Sequence, residues 1–223
     1  ISAVLNAAPL PKHVKLGAAT GSAWQFNLSH VQVGDIVVND VNVDMRALSL
    51  LTLDPVFDIK FGNAMAFGPE GHGTVSGLNG QLTLEQVNVT VAANDVAQRL
   101  PLPIPVNAKS NVLLSVEQFV LGQPVCEVLN GKVDWRGASV VAMDESIRLG
   151  DLSATLSCDQ GQLVATIDPN NDLGLTFEAV VGDNFRAQGD GHIKPTPNTP
   201  ESIKQALPFI GKPDSQGRYR LRF

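Results

Sequence analysis

The chain has 223 residues, of which 43% are hydrophobic, and it carries a net charge of −6 at pH 7. This length fits one domain or two small ones, and the hydrophobic fraction is sufficient for a buried core. The acidic balance argues against a general nucleic-acid-binding protein, which usually has a basic excess. No apolar run approaches the roughly 18 residues of a membrane helix, and no signal peptide opens the chain. We therefore expect a mature form, or a chain from which a segment before Ile1 was removed.

Alternating apolar and polar residues predict β-strands through most of the first half. The clearest alternation lies in the segments 24–28, 41–45, 82–91 and 112–121. The apolar phase slips by one residue near Glu85, between Val116 and Phe119, and near Gly150. A β-bulge restores the facing of a strand after such a slip. The pattern therefore predicts long, bent strands.

The second half shows the same alternation with short polar connections. A strand with Val133 and Trp135 follows Asn130-Gly131, which we interpret as a hairpin turn. Further strands are predicted over 163–167, 173–181 and 185–193. Sequential strands with short links indicate an antiparallel meander, with one face on a core and one face in water.

Helix signals are few. Asn94-Asp95 is predicted to cap a short helix that ends before Pro101, and Thr199 to cap a second helix that Pro208 ends. The run 46–51 is consistent with a single helical turn. The chain is thus predicted to be mainly β, with two or three short helices and long, bent antiparallel sheets. A curved gutter, a partial barrel and two similar halves all remain open as arrangements.

A proline-rich segment, 100–105, is the best candidate for an internal boundary. Its alternating prolines predict an extended, polyproline-like backbone. We expect a single domain over 1–223, or two β subdomains over about 1–100 and 106–223. The halves resemble each other weakly, because a glycine precedes a tryptophan-bearing strand in each, at Trp24 and at Trp135.

Two cysteines, Cys126 and Cys158, are present. They are either two separate buried thiols or one disulfide formed in an oxidising compartment. A zinc site is disfavoured, because two cysteines without a nearby histidine pair lack ligands.

The motifs of catalysis and cofactor binding are missing from the sequence. The four histidines do not have metal-ligand spacing, and the glycine cluster 68–77 departs from the dinucleotide-binding pattern. Asp168-x-Asn170-x-Asp172 begins like a calcium loop but has Leu173 where glycine is needed, so a polar turn is favoured. We predict no catalytic, cofactor-binding or metal-binding residues, and hence not an enzyme.

The last six residues alternate arginine with Tyr219, Leu221 and Phe223. In a strand this alternation places the apolar side chains on one face and Arg218, Arg220 and Arg222 on the other. The arginines are candidates for binding an acidic partner or anionic lipid head groups. The alternative is that they are solubilising charges on an edge strand.

The C-terminal segment 207–223, with Gly211, Gly217 and Tyr219, resembles the closing segment of type II secretion system protein N. Residues 17–24, the glycine-rich segment that precedes the predicted strand with Trp24, are also similar to that family. So is the pair Cys126 and Cys158, with the segment 130–135 and its Trp135 between them. The resemblance spans most of the chain, and its C-terminal motif is the most specific part.

The resemblance implies an accessory, non-enzymatic component of bacterial protein export. It implies a periplasmic β-rich domain with a Cys126–Cys158 disulfide, preceded in the full-length protein by an inner-membrane helix. The implied partners are other inner-membrane and periplasmic secretion components, without nucleic acid and without cofactor. An alternative function is a periplasmic carrier that holds a hydrophobic or lipid ligand in a curved β-sheet groove.

Overall fold

The computed structural model describes residues 14–34, 36–63, 68–77, 80–99, 106–142, 145–182 and 186–222. These ranges contain fifteen strands, two α-helices and one 3₁₀ helix, which confirms the prediction of a mainly β chain. The strands are β1 Val14–Leu16, β2 Ala19–Gly21, β3 Gln25–Val33, β4 Ile36–Met45, β5 Phe57–Phe61, β6 Glu70–Ser76, β7 Thr83–Ala92, β8 Asn107–Lys109, β9 Asn111–Leu121, β10 Cys126–Ala142, β11 Glu145–Asp159, β12 Gln162–Ile167, β13 Leu175–Val181, β14 Ala187–Ile193 and β15 Tyr219–Arg222. The helices are the 3₁₀ helix Ala47–Thr52, α1 Ala93–Ala97 and α2 Glu201–Ile210.

The strands of the described residues form one antiparallel sheet. Its order is β1-β3-β4-β5-β6-β7-β9-β10-β11-β12-β13-β14-β15, while β2 pairs with β3 and β8 pairs with β10 beside this path. Neighbours in the sheet are thus mostly neighbours in the chain, as an antiparallel meander requires. The end strands β1 and β15 are not paired with each other, so the sheet is open.

One face of the sheet carries an unbroken row of polar side chains, which we call the polar row. Each member is directly opposite the next on the neighbouring strand, and all but Asn27 are exposed. Residues that pair in this way share a face. The row is Thr20, Asn27, Asn42, Lys60, His72, Asn88, Ser115, Lys132, Thr155, Thr166, Glu178, Asp190 and Arg222.

The opposite face carries rows that consist only of apolar residues and glycine. The first apolar row is Phe61, Gly71, Val89, Leu114, Val133, Ala154 and Ile167. The second apolar row is Val87, Val116, Gly131, Leu156, Ala165, Ala179 and Gly189. None of these residues is classed as exposed, and Val116 and Gly189 are buried. The predicted division into a core face and a wetter face is thus present across the sheet.

The apolar face is more sheltered than the polar face, although only short helices lie in the described part of the chain. Twisted open sheets wider than about ten strands usually curl, split or flatten. Because its side chains are less exposed than those of the polar face, we call the apolar face the inner side of the sheet.

Irregularities occur at all three positions where the sequence phase slips. The register of β6 against β7 shifts between His72 and Thr74, and Gln86 has a φ of 50°. The register of β9 against β10 shifts between Asn130 and Gly131. The third shift follows Trp135 on β10, opposite Gly150 with a φ of 80°. The predicted bulges are therefore confirmed.

The hairpin predicted at Asn130-Gly131 is wrong. Both residues lie inside β10, which pairs there with β9 and β11. A Cβ built on Gly131 would lie 3.1 Å from the carbonyl oxygen of Ser115 and 3.2 Å from Val116 Cγ2. This glycine permits a close approach of neighbouring strands, which is its other role in sheets.

The predicted helix caps are also wrong. The residue before α1 is Ala92, and Asn94 and Asp95 lie inside the helix. The residue before α2 is Pro200, because the buried Thr199 hydroxyl donates to the Asp172 carbonyl oxygen instead. The helix α2 also extends past Pro208 to Ile210, since a proline in the last turn removes only one helical hydrogen bond.

Two small hydrophobic clusters are buried in the described part of the chain. The first is built on Leu28, Val41 and Val43, in β3 and β4. The second is built on Ala138, Leu149 and Leu173, and Ile203 of α2 packs against it. The other buried anchor of α2 is Leu207, which is 1% exposed.

The two cysteines form the disulfide that the resemblance implies. Cys126 at the start of β10 is bonded to Cys158 near the end of β11, with 6.1 Å between their Cα atoms. The backbone N–H groups of Val125 and Cys126 both donate to the Gly161 carbonyl in the turn after β11. The disulfide and these hydrogen bonds attach the beginning of β10 to the β11–β12 hairpin.

The sheet continues between the two halves of the chain, because β7 pairs with β9 over its whole length. The proline-rich segment 100–105 lies outside the described residues. The division into subdomains at this segment therefore stays a prediction.

Candidate interaction surfaces

An apolar turn protrudes at the end of β4, and we call it the leucine turn, residues 46–56. Within it the 3₁₀ helix and the following residue carry Leu48, Leu51 and Leu53, whose exposed fractions are 79%, 83% and 82%. The side chain of Trp24 is 53% exposed, and its carbonyl accepts a hydrogen bond from Met45, at the end of β4. Contiguous exposed apolar side chains of this size usually mark a contact site for a protein or a membrane.

Hydrogen bonds hold the two ends of the leucine turn together. The Arg46 N–H donates to the Val56 carbonyl at 2.9 Å. The Ser49 hydroxyl donates to the Arg46 carbonyl at 2.6 Å and accepts from the Val56 N–H at 2.9 Å. The leucines are therefore presented on a closed loop, which loses little conformational entropy when a partner binds.

An ion pair anchors the base of this turn. The Arg46 guanidinium donates twice to the Asp58 carboxylate on β5, at 2.8 and 2.7 Å, and the Thr74 hydroxyl donates to the same carboxylate. Hydrogen bonding from Arg46 is the main cause that lowers the pKa of Asp58. The pair is partly exposed, so its contribution to stability is small, and it links the first residue of the turn to β5.

The terminal strand β15 has the two faces that the sequence predicts. Tyr219 and Leu221 pair with Ile193 and Gly191 on the apolar side, and Arg222 pairs with Asp190 on the polar side. Phe223 lies outside the described residues. Tyr219 thus belongs to the face opposite the arginines.

Two of the three candidate arginines already have acidic partners. Arg218 donates to Asp214 at 2.7 Å, and Arg220 donates to Asp190 at 2.9 Å. Arg222 has no ion pair among the described residues. Their role in binding stays a prediction, and the two ion pairs are consistent with the solubilising alternative.

The connection before β15 is a polar turn centred on Asp214. Its carboxylate accepts hydrogen bonds from the backbone N–H groups of Gln216 and Arg218 and from the Arg218 side chain. The backbone bond from Arg218 is the largest cause that lowers the pKa of Asp214 to about 2. Gly217 has a φ of 76°, a conformation that favours glycine, while Gly211 lies in open space after α2.

An apolar cavity of about 250 Å³ lies between α1 and the apolar face, and we call it the α1 pocket. Val96 of α1 forms one wall, and Val133, Trp135, Ala154 and Ile167 form the opposite wall. The Trp135 indole N–H donates to the Lys109 carbonyl at 3.0 Å, which fixes the ring at one end of the pocket. The lining offers hydrophobic contact and almost no hydrogen bonding.

Among the residues that the structure describes, no three His, Cys, Asp or Glu side chains come together as a potential metal site. No helix of the described ranges has the length and apolarity needed to cross a bilayer.

Sequence reasoning missed both the leucine turn and the α1 pocket. The uncharged run 47–53 was the available signal for the turn. A leucine-rich run is equally typical of a core, however, and only the fold determines which side is exposed. The pocket is lined by residues from α1 and four strands, so no local sequence pattern predicts it.

The chain is similar to secretion proteins along nearly its whole length. The family model of type II secretion system (T2SS) protein N matches residues 12–222. The chain is 31% identical to type II secretion system protein N of Aeromonas hydrophila, with 99% of this chain and 88% of the relative covered. It is 29% identical to the protein of that name from Vibrio cholerae, with 96% of this chain and 86% of the relative covered. It is 26% identical to the protein of that name from Pectobacterium carotovorum, with 99% of this chain and 87% of the relative covered.

No solved structure matches the chain. The match to the family model nevertheless extends from the first described strand to the last. The chain belongs to the type II secretion system protein N family.

Proposed function

We propose that this chain is a non-enzymatic component of the type II secretion machinery that acts by contact with other secretion components. Membership of the family supports the pathway. The leucine turn carries the proposal of contact, because three leucines about 80% exposed lie on a loop whose ends are joined by hydrogen bonds. Desolvation of one fully exposed leucine contributes roughly 1.5–3 kcal/mol to binding.

The location we propose is the periplasm, as part of a protein anchored in the bacterial inner membrane. The disulfide supports this location, because disulfides persist in the oxidising periplasm and are rare in the cytosol. Protease treatment of spheroplasts tests the location. Digestion of the chain without lysis is the expected result, and protection until lysis would contradict it.

Removal of the exposed leucines tests the contact proposal. We expect Leu48→Ser, Leu51→Ser and Leu53→Asn together to abolish co-purification with other secretion components from membranes of an expressing strain. Asparagine is chosen at position 53 because Leu53 has a φ of 58°, which asparagine tolerates.

The matched control removes exposed apolar side chains elsewhere. Phe209 and Ile210 are 93% and 52% exposed at the end of α2. The double variant Phe209→Ser, Ile210→Ser is expected to retain the partners. Retention by the triple leucine variant, or equal loss in both variants, would contradict a specific role of the leucine turn.

A second candidate function is that of a carrier for a hydrophobic ligand. The open sheet and its sheltered apolar face favour it, because a closed and filled core would leave no room for a ligand. Native mass spectrometry after mild extraction tests this function. Co-purifying lipid is expected for a carrier, and a clean protein mass would contradict it.

A further inference from the structure

We propose that the acyl chains of a phospholipid lie along the two apolar rows and enter the α1 pocket. This inference rests on the carrier function, the second of those proposed above. It adds the site and the chemical class of the ligand.

The chemistry of the rows determines the kind of occupant. The first and second apolar rows cross strands β5 to β14 without one charged or hydrogen-bonding side chain. A peptide partner brings polar backbone groups, which need hydrogen-bond partners when they are buried. A hydrocarbon chain has no such need. The absence of charge along the rows therefore complements an uncharged acyl chain and not a protein segment.

The arrangement of small and bulky side chains on the apolar face favours a thin, flexible ligand. In the second apolar row, the small Gly131 and Ala165 lie two residues along their strands from the bulkier Val133 and Ile167 of the first row. Ala179 and Gly189 continue the second row beyond the end of the first. The spacing of about 4.8 Å between strands makes a row of seven residues roughly 29 Å long. This length is comparable to the hydrocarbon thickness of a bilayer, about 30 Å, and accommodates extended acyl chains.

The α1 pocket is a cavity on this path. It shares Val133, Ala154 and Ile167 with the first apolar row, so the two are continuous. Its volume of about 250 Å³ exceeds the 150 Å³ or so of an apolar cavity that accepts benzene. The end of an acyl chain fits this space, and the head group then remains outside the apolar rows.

The two tryptophans of the chain permit a site-specific test. Trp135 lines the α1 pocket, and Trp24 lies at the leucine turn. Trp24→Phe therefore leaves Trp135 as the only tryptophan reporter. The protein is mixed with phosphatidylcholine vesicles whose acyl chains carry bromine, which quenches indole emission on contact. The protein is then separated from the vesicles, and its emission and native mass are recorded.

We expect recovered protein that carries phospholipid and has lost Trp135 emission. Val96→Phe in the same background narrows the pocket from the helix side, where Val96 is 36% exposed, and should reduce both signals. The control is Leu113→Phe, because Leu113 pairs with Thr90 and Asp134 on the polar side of the sheet. The control variant should carry as much phospholipid, and lose as much Trp135 emission, as the Trp24→Phe protein.

Three outcomes would overturn the inference, and they are distinguishable. Bound phospholipid with unquenched Trp135 would refute the site but leave the carrier function standing. Recovery of protein without phospholipid would refute both. A native mass of two protein copies without lipid would mean that a second chain covers the apolar face.

Discussion

At the residue scale, glycines determine how closely the strands of this sheet can approach each other. Gly191 on β14 faces β13, and a Cβ built there would lie 2.2 Å from the Thr176 carbonyl oxygen and 2.7 Å from Phe177 Cα. Because both obstacles are backbone atoms, no side-chain rotation relieves the clash. Gly211 is the natural contrast, since a Cβ there meets nothing within 4 Å.

We expect Gly191→Ala to lower the free energy of unfolding by about 1–3 kcal/mol, as overpacking usually does. Gly211→Ala should change it by less than about 0.5 kcal/mol, as surface substitutions usually do. Urea denaturation of both variants measures the difference. Equal stability of the two variants would show that β13 and β14 are farther apart than described.

Titration of Asp214 tests the turn before the terminal strand. Its pKa is lowered to about 2 by the Arg218 backbone N–H first and by the Arg218 side chain second. A lowered folded-state pKa stabilises the fold above the unfolded pKa of about 3.9, and this contribution is lost as pH falls through 2. NMR titration of the carboxyl group is the measurement.

We expect Arg218→Ala to raise the pKa of Asp214 only partly, because the backbone N–H groups of residues 216 and 218 still donate to it. Arg222→Ala is the control and should leave the midpoint unchanged. If Asp214 of the unsubstituted protein titrated with the usual pKa of an aspartate, the turn would not be formed as described.

At the scale of elements, the disulfide connects two consecutive strands at their ends. The bond closes a chain segment with a separation of 32 residues. In the loop-entropy account, such a closure stabilises the fold by about 3–4 kcal/mol. The bond also keeps the beginning of β10 next to the β11–β12 turn.

We expect Cys126→Ser, Cys158→Ser to lower the free energy of unfolding by about 3–4 kcal/mol. Dithiothreitol should have the same effect on the unsubstituted protein and none on the double variant. Unfolding in urea with and without the reductant distinguishes the bond from side effects of the serines. An unchanged denaturation midpoint in the reduced protein would contradict this role.

Local alternation was sufficient to predict most of the strands, because a period of two residues directly reports a half-buried sheet. The phase slips at Glu85 and Gly150 even located bulges, since a bulge is itself a local insertion. Asn130-Gly131 was misassigned because the need for glycine comes from β9 and β11, which are distant in sequence. The leucine turn was missed for the same reason, since the exposure of Leu51 depends on the whole fold.

At the scale of the whole molecule, the protein is a broad sheet with two chemically different faces. The described part of the chain has two small hydrophobic core clusters, one in β3 and β4 and one where α2 packs beside β10 and β11. The carrier function depends on this apolar face being available to a ligand, whereas the contact function depends on the leucine turn.

Photolabelling of the native protein with a small apolar diazirine tests this availability most directly. The account predicts label at Leu114 and Leu156 on the apolar rows, mapped by mass spectrometry, and no label at their neighbours Ser115 and Thr155 on the polar row. Label that reaches the apolar rows only after denaturation would show that another layer covers this face, and would contradict the account.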